Sequence, residues 1–323
     1  FHYLETNSNV AQSQGNILTN MLTEFTSGGF KIGDNVSVNT ANESYVAWCW
    51  EAGGAPTVEN DNTSGAMDDG SVFKGGTVQS SYTPSGSPSI YPKKISIAEH
   101  GGFSIVQYVG NGSAGATIPH GLDAAADFQI FKRLRTPEDV AATQDWHVGT
   151  DVTGSIIGLE LNNAVDSVTA AVTAFNRHTT ALAASGVVND NTDTYISYAF
   201  TKTPGLIGIG TYTGNEVTDG PMVIIDDGAS GFRPAWLMIK EYDGSNNGNW
   251  FIRDSARNPY NPTDLDLMAN STAAQYTDSN SDIDFTANGF KIRADAGGYN
   301  ENNAKNLYIA FADQAFQLQA RAR

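Results

Sequence analysis

The chain has 323 residues, enough for about two domains with a packed core each. Its 35 acidic against 18 basic residues leave a net charge of −17, which excludes a nucleic-acid grip with its basic footprint and argues against docking on an anionic membrane. A single cysteine excludes an internal disulfide framework or a cysteine-cluster metal site, no run of 18 apolar residues is present to span a bilayer, and 40% hydrophobic residues are enough for a core.

Taken in chain order, the sequence is built of recurring landmarks, which point to a repeat architecture. Leu4-Glu5-Thr6-Asn7-Ser8 returns as Leu267-Met268-Ala269-Asn270-Ser271, and Ala11-Gln12 as Ala274-Gln275, at a constant offset of 263. Leu159-Glu160-Leu161-Asn162-Asn163 is a middle version. Gly29-Phe30-Lys31-Ile32 returns as Gly289-Phe290-Lys291-Ile292, while the middle version lacks this segment in full and keeps at most Gly186-Val187. Tyr45-Val46-Ala47-Trp48-Cys49-Trp50 returns as Tyr195-Ile196-Ser197-Tyr198-Ala199-Phe200 and as Tyr308-Ile309-Ala310-Phe311-Ala312. These closing segments have the aromatic and β-branched content of strands.

Residues 51–100 are dense in Gly, Pro and Ser, as at Ala52-Gly53-Gly54-Ala55-Pro56 and Thr83-Pro84-Ser85-Gly86-Ser87-Pro88, and read as a connector. Short β-like pieces, Ser71-Val72-Phe73 and Ile95-Ser96-Ile97, sit inside it. Beyond it, two front halves match. Ser104 to Asn111 parallels Gly208 to Asn215, Phe128-Gln129-Ile130-Phe131-Lys132 parallels Trp236-Leu237-Met238-Ile239-Lys240, and Trp146 parallels Trp250.

The unit is therefore about 105 to 110 residues long. Residues 1–50 are the C-terminal half of a first sandwich repeat, 51–100 the connector, 101–204 a second repeat, 205–316 a third and 317–323 a tail. The front half of the first repeat, about 60 residues, is missing; either residues 1–50 belong to a longer polypeptide, the favoured expectation, or they borrow strands from elsewhere. Short apolar or alternating runs broken by Asp243-Gly244, Asn247-Gly248, Asn288-Gly289 and Asn189-Asp190-Asn191 predict an all-β fold of tandem antiparallel β-sandwiches. One short helix is expected at Thr136–Ala142, with Thr136 as cap and Pro137 at its first position.

Candidate chemistry is sparse. Gly110-Asn111-Gly112-Ser113-Ala114-Gly115 spells G-x-G-x-x-G, but Ala116 to Gly121 is a poor helix start, and a turn between strands is the better reading. Asp264-Leu265-Asp266 and Asp282-Ile283-Asp284 have the alternate spacing that places two carboxylates on one strand face, as glycosidases require; solvated acidic loops are the competing reading. Asn60-Asp61-Asn62, Asp68-Asp69, Asn189-Asp190-Asn191, Asp226-Asp227 and Asp278 to Asp282 are candidate calcium ligands, set against ordinary Asn/Asp turn chemistry. The last begins like an EF-hand loop, but Ile283 stands where that loop needs Gly. His2, His100, His120, His147 and His178 show no metal-helix spacing and read as surface or packing residues. Cys49 reads as a small buried side chain, and Arg253-Asp254-Ser255-Ala256-Arg257 as a structural ion-pair network. Tyr260 and Tyr276, set among Asn and Asp, have the side-chain types that stack on sugars.

The landmarks resemble a tandem domain of marine bacteriophage tail-fibre-like and other virion proteins with a concanavalin A-like (LamG-like) fold. The segments that carry the resemblance are Gly102 to Val106, Tyr108 to Gly112 and His120-Gly121-Leu122. In the third repeat they are Gly231 to Lys240, Trp250 to Arg257, Asn288 to Lys291 and Tyr308 to Ala312. What the resemblance implies is a non-enzymatic virion structural protein at the particle surface: a fibre, tailspike-like appendage or capsid decoration. Other virion proteins, further copies of itself and host-surface glycans are the implied partners, with no nucleic acid, no membrane insertion and no cofactor beyond a candidate calcium. It transfers no catalytic residue. Two alternatives stand beside it: a secreted bacterial carbohydrate-binding or adhesive protein, and a glycan hydrolase.

Overall fold

The computed structural model describes residues 4–10, 12, 20–26, 28–134, 144–165, 168–183, 187–245, 248–277, 281–295 and 298–312. The helix expected at Thr136–Ala142, His2, Asn247 and the start of the Asp278–Asp282 run lie outside them.

The described residues among 1–50 form a hairpin, β1 (Leu22–Thr26) and β2 (Gly29–Ile32), and a helical turn, α1 (Val36–Asn39). The Asn35 side chain caps α1 by accepting from the Ser37 amide. The Gly- and Pro-rich stretch holds β3 (Val72–Lys74), β4 (Thr77–Val78) and β5 (Lys94–Ile97). The next unit runs β6 (Phe103–Val109), β7 (Thr117–Pro119), β8 (Phe128–Arg133), β9 (His147–Thr150), β10 (Ile157–Glu160), β11 (Val172–Phe175), β12 (Thr179–Leu182) and β13 (Thr194–Phe200). The last runs β14 (Ile207–Thr213), β15 (Met222–Ile224), β16 (Pro234–Asp243), β17 (Phe251–Asp254), β18 (Leu265–Met268), β19 (Tyr276–Thr277), β20 (Ile283–Thr286), β21 (Gly289–Ile292) and β22 (Lys305–Ala312).

The chain is all-β, and both complete units are antiparallel sandwiches with the same strand order. The large sheets read β10-β9-β8-β13-β6 and β18-β17-β16-β22-β14, and the small sheets β11-β12-β7 and β20-β21-β15. The middle repeat thus has a strand, β12, at the place of the Gly-Phe-Lys-Ile strand β21. Its sequence Thr179-Thr180-Ala181-Leu182 shares the position but not the residues, and Gly186 of the expected Gly186-Val187 remnant lies outside the described residues. The connector also does more than connect. β5 pairs antiparallel with β6, β3 lies parallel to β5, and β4 closes the edge, lengthening one large sheet to eight strands.

Alternation along the strands decides what each face buries. On β13, Tyr195 packs with Tyr108, Phe131 and Leu182 against the small sheet, whereas Phe200 and Tyr198 turn the other way. On β22, Tyr308 and Ala310 join Phe285 and Phe290 inside the second sandwich, and Leu307 and Ile309 turn outward. The outward faces of both large sheets meet in a third core containing Phe103, Phe128, Trp146, Trp236, Trp250 and Ile309. The molecule therefore stacks four layers, small–large–large–small. Each large apolar side chain fully buried there contributes roughly 1.5–3 kcal/mol relative to exposure.

The two sandwiches are also closed by the same turn. Gly110 and Gly214 each end the first strand of the unit, and the following amides of Asn111 and Asn215 donate to the side-chain oxygens of Asn189 and Asn300 at 2.9 Å. A Cβ at Gly110 would stand 2.2 Å from the Asp190 carbonyl, and one at Gly214 2.3 Å from that of Glu301, so both positions need glycine. The G-x-G-x-x-G stretch is this turn, and no helix follows it.

Candidate functional site

The seam between the large sheets holds a cavity of about 530 Å³, and the repeats build it residue by residue. The fourth residue of each closing segment lines it: Trp48 reads the position of Tyr198 and Phe311, as Tyr45 reads that of Tyr195 and Tyr308. The third residue of each Leu-Glu landmark lines it too, as Thr6, Leu161 and Ala269. From the front halves come the pairs Phe128 and Trp236, Ile130 and Met238.

Hydrogen bonds tie each repeat to the one before. The Trp146 indole donates to the Glu5 carbonyl at 2.8 Å, and the equivalent Trp250 indole to the Glu160 carbonyl at 2.9 Å. Lys132 Nζ donates to the Asn9 carbonyl at 3.0 Å, and its counterpart Lys240 to that of Ala164 at 3.3 Å. Burial holds the Lys132 ammonium down to a pKa of about 8, against the opposing pull of Asp145. The landmark itself is one turn made three times, with the amides of Ser8, Asn163 and Ser271 donating to the carbonyls of Glu5, Glu160 and Met268. Thr6 Oγ1 donates to the Ala269 carbonyl at 2.9 Å, which returns the first repeat to the third.

The mouth of the cavity is aromatic. Trp50 meets Trp236 edge-on with centroids 5.4 Å apart, and Trp48 meets the same ring at 6.2 Å. The Trp48 indole donates to Asp254, which Arg257 pairs at 2.6 Å while lying over the Trp48 ring. Among the described lining residues there is no Asp, Glu, His, Lys or Arg. Burial pushes the lining Tyr198 up to about 12, so it stays a neutral hydroxyl. Such a surface packs apolar matter.

The residues singled out from sequence fall elsewhere and apart. Asp266 is wholly buried and paired with Arg253 at 2.8 Å, while Asp264 accepts from Asn258 and Asp284 from Arg293. Each of these three carboxylates has its own structural partner. Asn60, Asn62 and Asp68 bond one another, and Asp61 pairs with Lys93 at 2.8 Å. Asp227 accepts from the amides of Gly205, Ala229 and Gly231. Among the described residues no group of three His, Cys, Asp or Glu side chains stands where it could hold a metal ion. Arg253 to Arg257 form ion pairs to Asp266 and Asp254. Tyr260 is 83% exposed before β18, and Tyr276 sits half-buried on β19.

One expectation is corrected. Cys49 is exposed, where residues 45–50 form no strand and Ala199 on β13 is buried. His120 is a packing residue, fully buried: its Nδ1 accepts from the Leu122 amide at 3.1 Å and its Nε2 lies 3.1 Å from the Asn176 carbonyl. Desolvation, with a smaller push from His178, lowers it to about 4 against the Asn176 bond. The cavity itself escaped sequence reading, although the repeated Trp and Leu-Glu positions that frame it were visible.

The chain matches, over residues 2–83 and 73–315, the family model described as a domain of unknown function, DUF7483, and it belongs to that family. No curated protein matches it. No solved structure does either.

Proposed function

For this DUF7483 member we propose a structural role in a bacteriophage virion, as a fibre, tailspike-like appendage or capsid decoration, without catalysis. The observation that carries the reading is the seam. Three repeats are locked together by the same tryptophan, lysine and turn bonds around an apolar core. That is how a load-carrying assembly is built, whereas an enzyme would gather perturbed polar groups in a cleft. The likeness of the landmarks to tandem virion domains supports the same reading.

Electron microscopy of the intact particle, with antibody raised against residues 1–323, tests it. Label at a regular site on the virion surface supports the role; a chain free of particles overturns it. Tyr260, fully presented to solvent, is the candidate contact for a host-surface glycan. Binding to a glycan array that is lost in Tyr260→Ala supports that contact, and unchanged binding removes it.

A further inference from the structure

One flank is closed in the second repeat and open in the third. In the second, residues 89–94 of the connector cross from the edge of the small sheet to that of the large one. The Thr117 amide of β7 donates to Ser89 Oγ at 2.8 Å, and the Ile90 amide donates to the Thr117 carbonyl at 3.0 Å. The Lys93 amide then donates to the Gln107 carbonyl of β6 at 2.7 Å, and Lys94 stands opposite Gln107. Between these contacts Ile90 is buried and joins Tyr108, Ile118 and Phe131 in the core of the sandwich.

Strand register finds the same positions in the third repeat. The Leu182 amide donates to the Ala116 carbonyl as the Ile292 amide does to that of Pro221, so Met222 holds the place of Thr117. Gly110 and Gly214 end their strands alike, so Thr211 holds the place of Gln107. Pro221 and Ile225 bond the hairpin of β21, which turns the amide and carbonyl of Met222 away from it. Leu206 and Gly214 likewise bond the β22 side, which turns those of Thr211 outward. Among the described residues nothing bonds these outward groups of Met222 and Thr211. Beyond them the edge is already taken, since Ile207 bonds Thr203 and the Ile209 amide donates to the Asp226 carbonyl at 3.0 Å. The open stretch therefore matches residues 89–94 and no more. Met222 and Ile224 are 49% and 58% exposed, whereas their counterparts Thr117 and Pro119 are half-buried and buried.

We infer that the edge at Met222 and Thr211 is a docking surface for an extended, lysine-bearing segment of a different polypeptide, added as a strand across both sheets. Residues 89–94 set its chemistry. A serine hydroxyl accepts from the Met222 amide, the isoleucine after it covers Tyr212 and Val223, and a lysine pair bonds Thr211 through its backbone. Charge selects the source. The receiving chain has a net charge of −17, and the loop from β14 to β15 adds Glu216 and Asp219 with no base of its own, Asp219 being paired with Lys291. A second copy carries the same −17, and its own residues 89–94 are already seated on its own second repeat. A basic strand from another chain meets neither obstacle. The inference stands on the comparison of the two repeats and not on the proposed virion role.

Amide NMR of residues 1–323, titrated with a capped peptide of the sequence Ser87 to Ile95, tests it. The expected result is saturable 1:1 binding with a Kd of about 1 mM or tighter. At saturation the Met222 and Thr211 amides should exchange ~10-fold more slowly, while the Thr117 amide, already covered, should not change. Met222→Pro removes the outward N–H but none of the bonds to β21, and should weaken binding at least ~10-fold. Unchanged slow exchange of Phe285 and Phe290 in that variant shows that the sandwich is intact; where it is not, Met222→Lys, which sets a like charge against the peptide, serves instead. Absence of any response at Met222 and Thr211 with about 5 mM peptide overturns the inference. So does equal binding of a peptide carrying Lys93→Glu and Lys94→Glu, or a response confined to Thr117 and Gln107. Slowing that appears without peptide as protein concentration rises also overturns it, by assigning the edge to a second copy.

Discussion

At one position the two complete sandwiches solve the same packing problem in opposite ways. The neighbouring strands β9 and β10 face each other at Gly149 and Gly158, and their counterparts β17 and β18 at Arg253 and Asp266. Where the glycines stand, the segment around Ala170 and Val172 presses onto the sheet: a Cβ on Gly158 would lie 2.6 Å from Ala170 Cα, and one on Gly149 2.7 Å from the Val172 side chain. Where the ion pair stands, Ser281 and Tyr299 receive the Arg253 guanidinium and Ser281 also bonds Asp266. The same topology thus accepts either backbone contact or a buried charge pair. A second contrast repeats the lesson. Ser104 and His120 in one unit occupy the places of Gly208 and Ile225 in the other, where a Cβ on Gly208 would strike Ile225. What the repeats hold constant is the seam between them, not the interior of each.

That comparison can be broken from either side. Asp266→Ala should have the largest effect, a loss of about 3–5 kcal/mol, because it strands the Arg253 charge in the core; urea denaturation should show the third repeat melting first. Gly149→Ala, the matching insult in the other repeat, should cost about 1–3 kcal/mol through overpacking against Val172, and the same denaturation should place it in the second repeat. An unchanged midpoint in either variant would mean that these positions are not the interior contacts described.

Acid should separate the repeats next. His120 and His147 are both lowered to about 4, each chiefly by desolvation, and both lie in the second repeat. Their unfolded pKa is near 6.5, so between 6.5 and 4 the unfolded chain binds more protons. The stability that the neutral rings contribute is complete above about 6.5 and is lost as pH falls through about 4. Thermal melts from pH 7 to 4 should show the second repeat losing stability before the third, and the order should vanish in a His120→Asn, His147→Asn variant. The smallest effect belongs to Cys49→Ser. An exposed thiol with no packing role should leave stability within about 0.5 kcal/mol of the parent, and ready labelling by a maleimide would confirm its exposure.

Much of the fold was legible because a sandwich repeat leaves its marks at strand ends. The Leu-Glu turn reappears in all three repeats and the Gly-Asn turn in the two complete ones with matched hydrogen bonds, and the closing Tyr segment is a strand in those two, β13 and β22. The middle hairpin was not legible, since β12 keeps the place of β21 with Thr179, Thr180 and Ala181 in place of Gly289, Phe290 and Lys291. β3 and β5 were seen as β-like, but their parallel pairing joins residues more than 20 apart, which no local pattern encodes. Among candidate site residues, the acids were visible but their meaning was not. Whether Asp266 is a catalytic carboxylate or half of a buried pair depends on Arg253, brought opposite it by sheet register. The aromatic cavity was invisible for a related reason: it is assembled from single residues of three separate repeats.

The account rests most heavily on the claim that each repeat is bonded to the one before it. The direct test is indole N–H hydrogen exchange of Trp146 and Trp250 by NMR, in residues 1–323 and in the same chain lacking residues 1–10. Removing the Glu5 carbonyl should raise the exchange rate of the Trp146 indole while leaving that of Trp250, still bonded to Glu160, unchanged. A Trp146 indole equally protected in both chains would contradict the seam.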